Sequence, residues 1–368
     1  MFRTGTGLVG VRLMAFATAI AAIGAGGAAH ASTITQNTSW TIDRAGTSAK
    51  FRVVGYGDSI YAGYRGSLSR VAKRAAPQVA GEYASVAWNS DMEIFRRTKS
   101  GAKANDIYDS KILGERSYMQ AANTRVVTFE MCGNDYLQAR SALTDQSGNC
   151  NFGVIESALA TCTTYMEKGM QTINQYAPAQ AVKIVSNIYY PGYNADNVNT
   201  ACRDAATGQP VNKQEKFLPF LARSNWRACS LAAQYGFACA DTFAAWMGAD
   251  YDSNGDGVVD SEALRYVQGE SEADYVNRIS VTLRATLRDA NGHLADASTS
   301  FDYLQSDDTH PTFIGDTVYV GFFGGTGTGT SAADYTDGQI VDGKNPVWNA
   351  YGHEMMGRLL SLFSPAAP

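Results

Sequence analysis

Four short stretches hold side chains that could cooperate in acyl transfer. They are Gly57-Asp58-Ser59-Ile60, the turn at Gly101, Gly133-Asn134-Asp135, and Asp307-Asp308-Thr309-His310. A serine hydroxyl is a weak nucleophile until a base accepts its proton. Setting aside His30 in the N-terminal leader, the candidates for that base are His293, His310 and His353. His310 follows the β-like run "SFDYLQ" and has Asp307 three residues before it, placed to orient the imidazole and stabilise its protonated form. His353 has no acid at that spacing, and Asp308 competes with Asp307 less well on the same criterion. Gly57-Asp58-Ser59-Ile60-Tyr61 lacks the second glycine of G-x-S-x-G, so it is not an α/β-hydrolase elbow. Each stretch also has a plain reading: Asp58 and Ser59 are favoured helix N-caps, and Gly101 and Asn134-Asp135 suit ordinary turns.

A second chemical signal is "DYDSNGDGVVDSEAL". With Asp252 at position 1 of a calcium loop, Asn254 falls at 3, Asp256 at 5 and Gly257 at the tight turn; the Val258 carbonyl and Asp260 follow. Position 12 holds Ala263 instead of a bidentate glutamate, and Glu262 stands one place early. The expectation is a structural calcium that braces the loop, with a solvated acidic turn as the alternative.

The elements around these residues alternate. β-like runs are "FRVVGYG", "YASVAWN", "TRVVTFEMCG", "VKIVSNIYY" and "GFACADTF"; helical patterns cover 60–74, 154–176, 217–235 and 275–288. Strands interleaved with helices predict a three-layer α/β/α sandwich with a mainly parallel, flavodoxin-like sheet. Ligands in such sheets bind beyond the carboxyl ends of the strands, where Ser59 and Asn134 both fall. Residues 250–297 and the Gly/Thr-rich stretch 316–343 break the rhythm and read as insertions in one domain, 32–368. Within the second, "VYVGFF" (318–323) suits an acyl-chain groove or an ordinary hairpin packed on the core.

Residues 1–31 read as an export signal: Arg3 and Arg12 precede an apolar, small-residue stretch that ends in Ala29-His30-Ala31, predicting cleavage near Ala31/Ser32. No later run reaches about 18 apolar residues, so no stable membrane span is expected. The net charge is −5, and loss of a leader that holds arginines but no acid makes it more negative. Without a basic run, nucleic acid is excluded as a partner. Six cysteines (Cys132, Cys150, Cys162, Cys202, Cys229, Cys239) follow the leader, none in a C-x-x-C pair, and predict three disulfides in a secreted or periplasmic protein. Connectivity stays open, with Cys229–Cys239 the favoured local pair.

Taken in order, the four stretches resemble the SGNH (GDSL-type) hydrolase family over roughly 53–311, with Ile60 where that family most often has leucine. The resemblance implies Ser59, His310 and Asp307 as the triad, and an oxyanion hole formed by the Ser59 and Gly101 N–H groups and the Asn134 amide. It implies no catalytic cofactor. Cys132 departs from it by replacing the first glycine of Gly-x-Asn-Asp. The expected function is a secreted serine ester hydrolase of lipase, esterase or phospholipase type, acting on acyl esters that include lipids. The alternatives are a glycan O-deacetylase using the same site and a calcium-stabilised, non-catalytic binding protein. For the acidic loop, melting with calcium and with chelator should give the higher Tm with calcium; coincident curves would count against a structural ion.

Overall fold

Strand β2 (Lys50–Gly57) carries adjacent valines, and every residue from Val53 to Gly57 is buried. An apolar run buried on both faces belongs at the centre of a parallel sheet. In the computed structural model, which describes residues 32–43, 46–47, 49–64, 70–72, 74–189, 202–211, 213–247, 264–286 and 360, β2 lies there. It pairs in parallel with β3 (Asp91–Ser100) and β4 (Thr124–Phe129). β5 (Val182–Ser186) and β6 (Ala238–Ala240) extend the sheet in parallel, while β1 (Ile34–Ile42) closes the other edge antiparallel to β3. The order is β1-β3-β2-β4-β5-β6.

This order sets apart the carboxyl edge of the sheet between β2 and β4. From β2 the chain passes to one side to make β3, then crosses back to make β4 on the other. β2 and β4 thus flank the topological switch point, where loops leaving their carboxyl ends diverge and open a crevice. The first loop leads into the short helix α1 (Ser59–Ala62) and the second into α4 (Gly133–Ala139).

Helices α2 (Ala76–Trp88), α5 (Gly153–Tyr176) and α6 (Lys213–Tyr235) flank the sheet, α8 (Glu272–Thr286) packs on α6, and α3 (Ala104–Asp106) and α7 (Thr242–Met247) are shorter turns. Trp88 of α2 meets Phe51 of β2 edge-on, and Phe152 before α5 stacks on Phe220 of α6. Arg223 and Arg227 of α6 both pair with Glu272, joining α8 to α6. The six cysteines form three disulfides: Cys132–Cys162, Cys150–Cys202 and the expected local pair Cys229–Cys239.

Three sequence expectations are corrected. "YASVAWN" lies in α2, not in a strand. Ala76, Ala80, Ala84 and Trp88 bury one helical stripe, Pro77 starts the first turn, and Asn89 ends the helix in the left-handed region at φ 46°. The helix expected over 60–74 is only one turn, α1, ended by Gly63; Tyr64 and Val71 then bridge antiparallel before α2 begins. β3 went unrecognised because its buried face carries Arg96, Thr98 and Ser100 after Met92 and Ile94, which hides the alternation of a half-buried strand.

Arg96 is fully buried for a structural reason. Its guanidinium lies 4.0 Å from the Trp40 ring centroid, and its Nη1 and Nη2 donate to the carbonyls of Ala62 and Ala72 at 3.1 and 2.8 Å. It therefore ties the end of α1 to the segment that precedes α2. Arg96→Ala leaves two interior carbonyls without that donor and should destabilise by roughly 2–5 kcal/mol, read as a lower urea midpoint. An unchanged midpoint would show the clamp to be redundant.

Candidate active site

At the exit of β2 the capping residue is Asp58. Its Oδ1 accepts from the Ile60 N–H at 2.8 Å, and Ser59 is the first residue inside α1. Capping of α1 thus falls to Asp58, with Ser59 one residue further in. Ser59 is buried, and α1 is held on β4 by Tyr61, whose hydroxyl hydrogen-bonds the Thr128 hydroxyl at 2.8 Å.

The exit of β4 supplies the partners. Glu130 donates its N–H to the Tyr56 carbonyl, and its Oε1 accepts from the Asp58 N–H at 2.7 Å. Burial, and then the charge of Asp58, push the Glu130 carboxyl well above the ordinary range. Asp58 receives N–H donors from Ile60 and from the Asn134 side chain. Gly57 makes this approach possible, since a Cβ there would fall 2.3 Å from Glu130 Oε1.

Asn134 sits in the first turn of α4, and its Nδ2 donates to Asp58 Oδ2 at 2.8 Å. An amide nitrogen carries two hydrogens, so this bond fixes the amide and leaves a second donor. The next residue, Asp135, accepts from the Ala104 N–H at 2.9 Å, and Gln138 donates to the Gly101 carbonyl at 2.9 Å. Gly101 has φ +77°, and a Cβ on it would meet the Ser32 carbonyl oxygen at 2.7 Å, so the turn accepts only glycine. Hydrogen bonds thus connect the segments of Ser59, Asn134 and Gly101 through Asp58, Asp135 and Gln138.

Sequence reasoning missed Glu130, Asp135 and Gln138 as supports. A lone acid ending an apolar strand was the available signal for Glu130; Gln138 stands one helical turn after Asn134. Asp307 and His310 lie outside the described residues, as do His293, His353, the acidic loop (Asp252, Asn254, Asp256, Val258, Asp260, Glu262) and the aromatic stretch 318–323. Among the described residues, no group of three or more His, Cys, Asp or Glu could hold a metal ion, and no helix is long and apolar enough to cross a membrane.

No protein-family model matches the chain, and no curated protein does. Among solved structures, it is similar to the lipase Lip_vut3 from a goat rumen metagenome, at 17% identity over 64% of this chain and 96% of that one, with a TM-score of 0.42. It is similar also to phospholipase A1 from Streptomyces albidoflavus NA297 (19% identity, 57% and 90% covered, TM-score 0.39). A variant of an acetyl xylan esterase from Geobacillus stearothermophilus matches at 12% identity, with 53% and 78% covered and a TM-score of 0.35.

Burial raises the Asp135 carboxyl from 3.8 to about 7. Across that window the native protein holds a proton that the unfolded chain has released, so stability is full on the acid side and falls as pH rises from about 4 to about 7. Melting curves over this range should decline in the wild type and decline less steeply in Asp135→Asn, the buried Glu130 and Asp241 carboxyls, raised in the same direction, keeping part of the slope. Parallel slopes would place the titration on another group.

Proposed function

We propose that this chain is a serine ester hydrolase, exported after cleavage near Ala31/Ser32, and that Ser59 is its nucleophile. The observation that carries the reading is the hydrogen-bonded linkage of the Ser59 turn, Asn134 and the Gly101 turn at the switch point between β2 and β4. An acyl-transfer site needs a nucleophile and preorganised donors on a common rigid frame, and these segments meet that need. Pairing of all six cysteines agrees with an oxidising compartment.

In the proposed reaction the Ser59 hydroxyl adds to the acyl carbonyl while His310, oriented by Asp307, takes its proton. The tetrahedral oxyanion receives the Ser59 and Gly101 N–H groups and the Asn134 amide hydrogen that Asp58 does not engage. Collapse expels the alcohol, which recovers the proton from His310. Water, activated by the same histidine, then releases the acid from Ser59. Asp58 is not a proton carrier in this scheme: it caps α1 and holds the amide of Asn134. The substrate class is acyl esters, lipids among them.

The test is kcat/KM on nitrophenyl esters from acetate to palmitate, with labelling by a fluorophosphonate. Wild type should hydrolyse the series and take the label. Ser59→Ala should do neither while keeping its circular dichroism, and Asn134→Ala should lose about 10²–10³ in kcat. Activity confined to acetate would reassign the site to a deacetylase. A wild type that neither labels nor turns over would point to a binding protein, and hydrolysis retained by Ser59→Ala would overturn the assignment.

A further inference from the structure

Cys132 is the N-cap residue of α4 and has φ +90° and ψ −21°. Glycine enters that region freely, but a side chain's Cβ clashes there with the following carbonyl. Among the described residues the other non-glycine with positive φ is Asn89, a residue type that tolerates it, at the end of α2. Cys132 is therefore the one case with no help from its own chemistry. It is fully buried and cross-linked to Cys162 of α5, with the Cα atoms 5.4 Å apart.

The surrounding contacts explain why the chain must turn so sharply here. Two residues before Cys132, Glu130 Oε1 accepts from the Asp58 N–H; two residues after it, Asn134 Nδ2 donates to Asp58 Oδ2. Both ends of a five-residue segment are thus fastened to one residue, and the backbone between them has to double back. The Cys132 carbonyl then accepts the Asp135 N–H at 3.0 Å, which starts α4. Gly133 does not carry this burden: a Cβ placed on it would come no nearer than 3.7 Å to Asp58 Oδ2. The dihedrals of Cys132 therefore aim the first turn of α4, and with it the amide of Asn134.

We infer that the Cys132–Cys162 disulfide is a positioning element for the active site, holding residue 132 in a glycine-like conformation so that Asn134 stays against Asp58. This rests on the reading of Asn134 as an oxyanion donor. A disulfide that merely stabilised the fold would act through loop closure alone, and its removal would lower Tm while leaving kcat alike whichever residue replaced Cys132. A positioning disulfide distinguishes between replacements, because glycine takes up φ +90° without the cross-link and alanine does not.

The experiment compares Cys132→Gly/Cys162→Ala with Cys132→Ala/Cys162→Ala, both lacking the bridge. The glycine variant should keep kcat within about threefold of wild type, and the alanine variant should lose about 10- to 100-fold in kcat with KM little changed. Both should melt below wild type, so assays are run beneath the lower Tm. Equal kcat in the two variants, whether high or low, would overturn the inference, as would a folded but inactive glycine variant. If only the alanine variant fails to fold, an active glycine variant still upholds it; failure of both would make the bridge a requirement of folding and refute it. The side-chain amide resonance of Asn134, identified through Asn134→Asp, reports the same contact without turnover. It should hold its position in the glycine variant and move in the alanine one. An inactive wild type would sink the hydrolase reading, while this resonance would still decide the role of the disulfide.

Discussion

The carboxyl groups of Asp58 and Glu130 meet in the interior where β2 and β4 end, and the backbone around them is arranged to receive them. Two buried carboxylates in contact cannot both be ionised. The raised Glu130 carboxyl, with N–H donors from Ile60 and Asn134 on Asp58 and from Asp58 itself on Glu130, makes the arrangement tolerable. The cost of leaving any of these groups unmet in the interior is one to several kcal/mol, about that of a lost buried hydrogen bond or more. That cost fixes Gly57 as the residue that admits Glu130 and fixes where α1 begins. It also fixes how close α4 must come to β2.

Strand order makes this meeting possible. Parallel neighbours whose loops ran the same way would cover one another's ends; at the β2–β4 switch point they part. Polar contacts join the segments at this edge. Asp135 and Gln138 reach from α4 to the Gly101 turn, while Arg96 holds the far end of α1 from beneath. Rigid elements carry the side chains, and hydrogen bonds between loops set their spacing.

The legible part of the fold was the part with simple burial. β2, β4 and β5 are apolar runs, and α5 and α6 show helical stripes over more than twenty residues each. β3 was hidden because a buried arginine, threonine and serine occupy its inner face, and their partners (Thr38, Gln36, Ala62) lie far away in sequence. "YASVAWN" misled in the opposite sense: its alternation looked like a strand, and the proline and asparagine that bound the helix lay just outside or at the rim of the window. At the site, Ser59, Gly101 and Asn134 stood out through short motifs. Glu130, Asp135 and Gln138 did not, since what each does is decided by a partner 31 to 72 residues distant.

Three acids stand around Asn134, and this is a poor environment for an oxyanion if all three are charged. In the proposed reaction a tetrahedral intermediate would place negative charge where Asn134 donates, and away from water like charges repel far more strongly than in it. Burial works against that outcome. It pushes Glu130 well above the ordinary carboxylate range and raises Asp135 to about 7, with the charge of Asp58 contributing in the same direction. The remaining charge, on Asp58, is the one that Asn134 and the start of α1 directly satisfy. The same desolvation that makes these carboxyls expensive to bury thus restrains the field they would otherwise exert on the reaction. A carboxylate can then serve as the anchor of an amide meant to stabilise another anion, provided that its neighbours remain neutral.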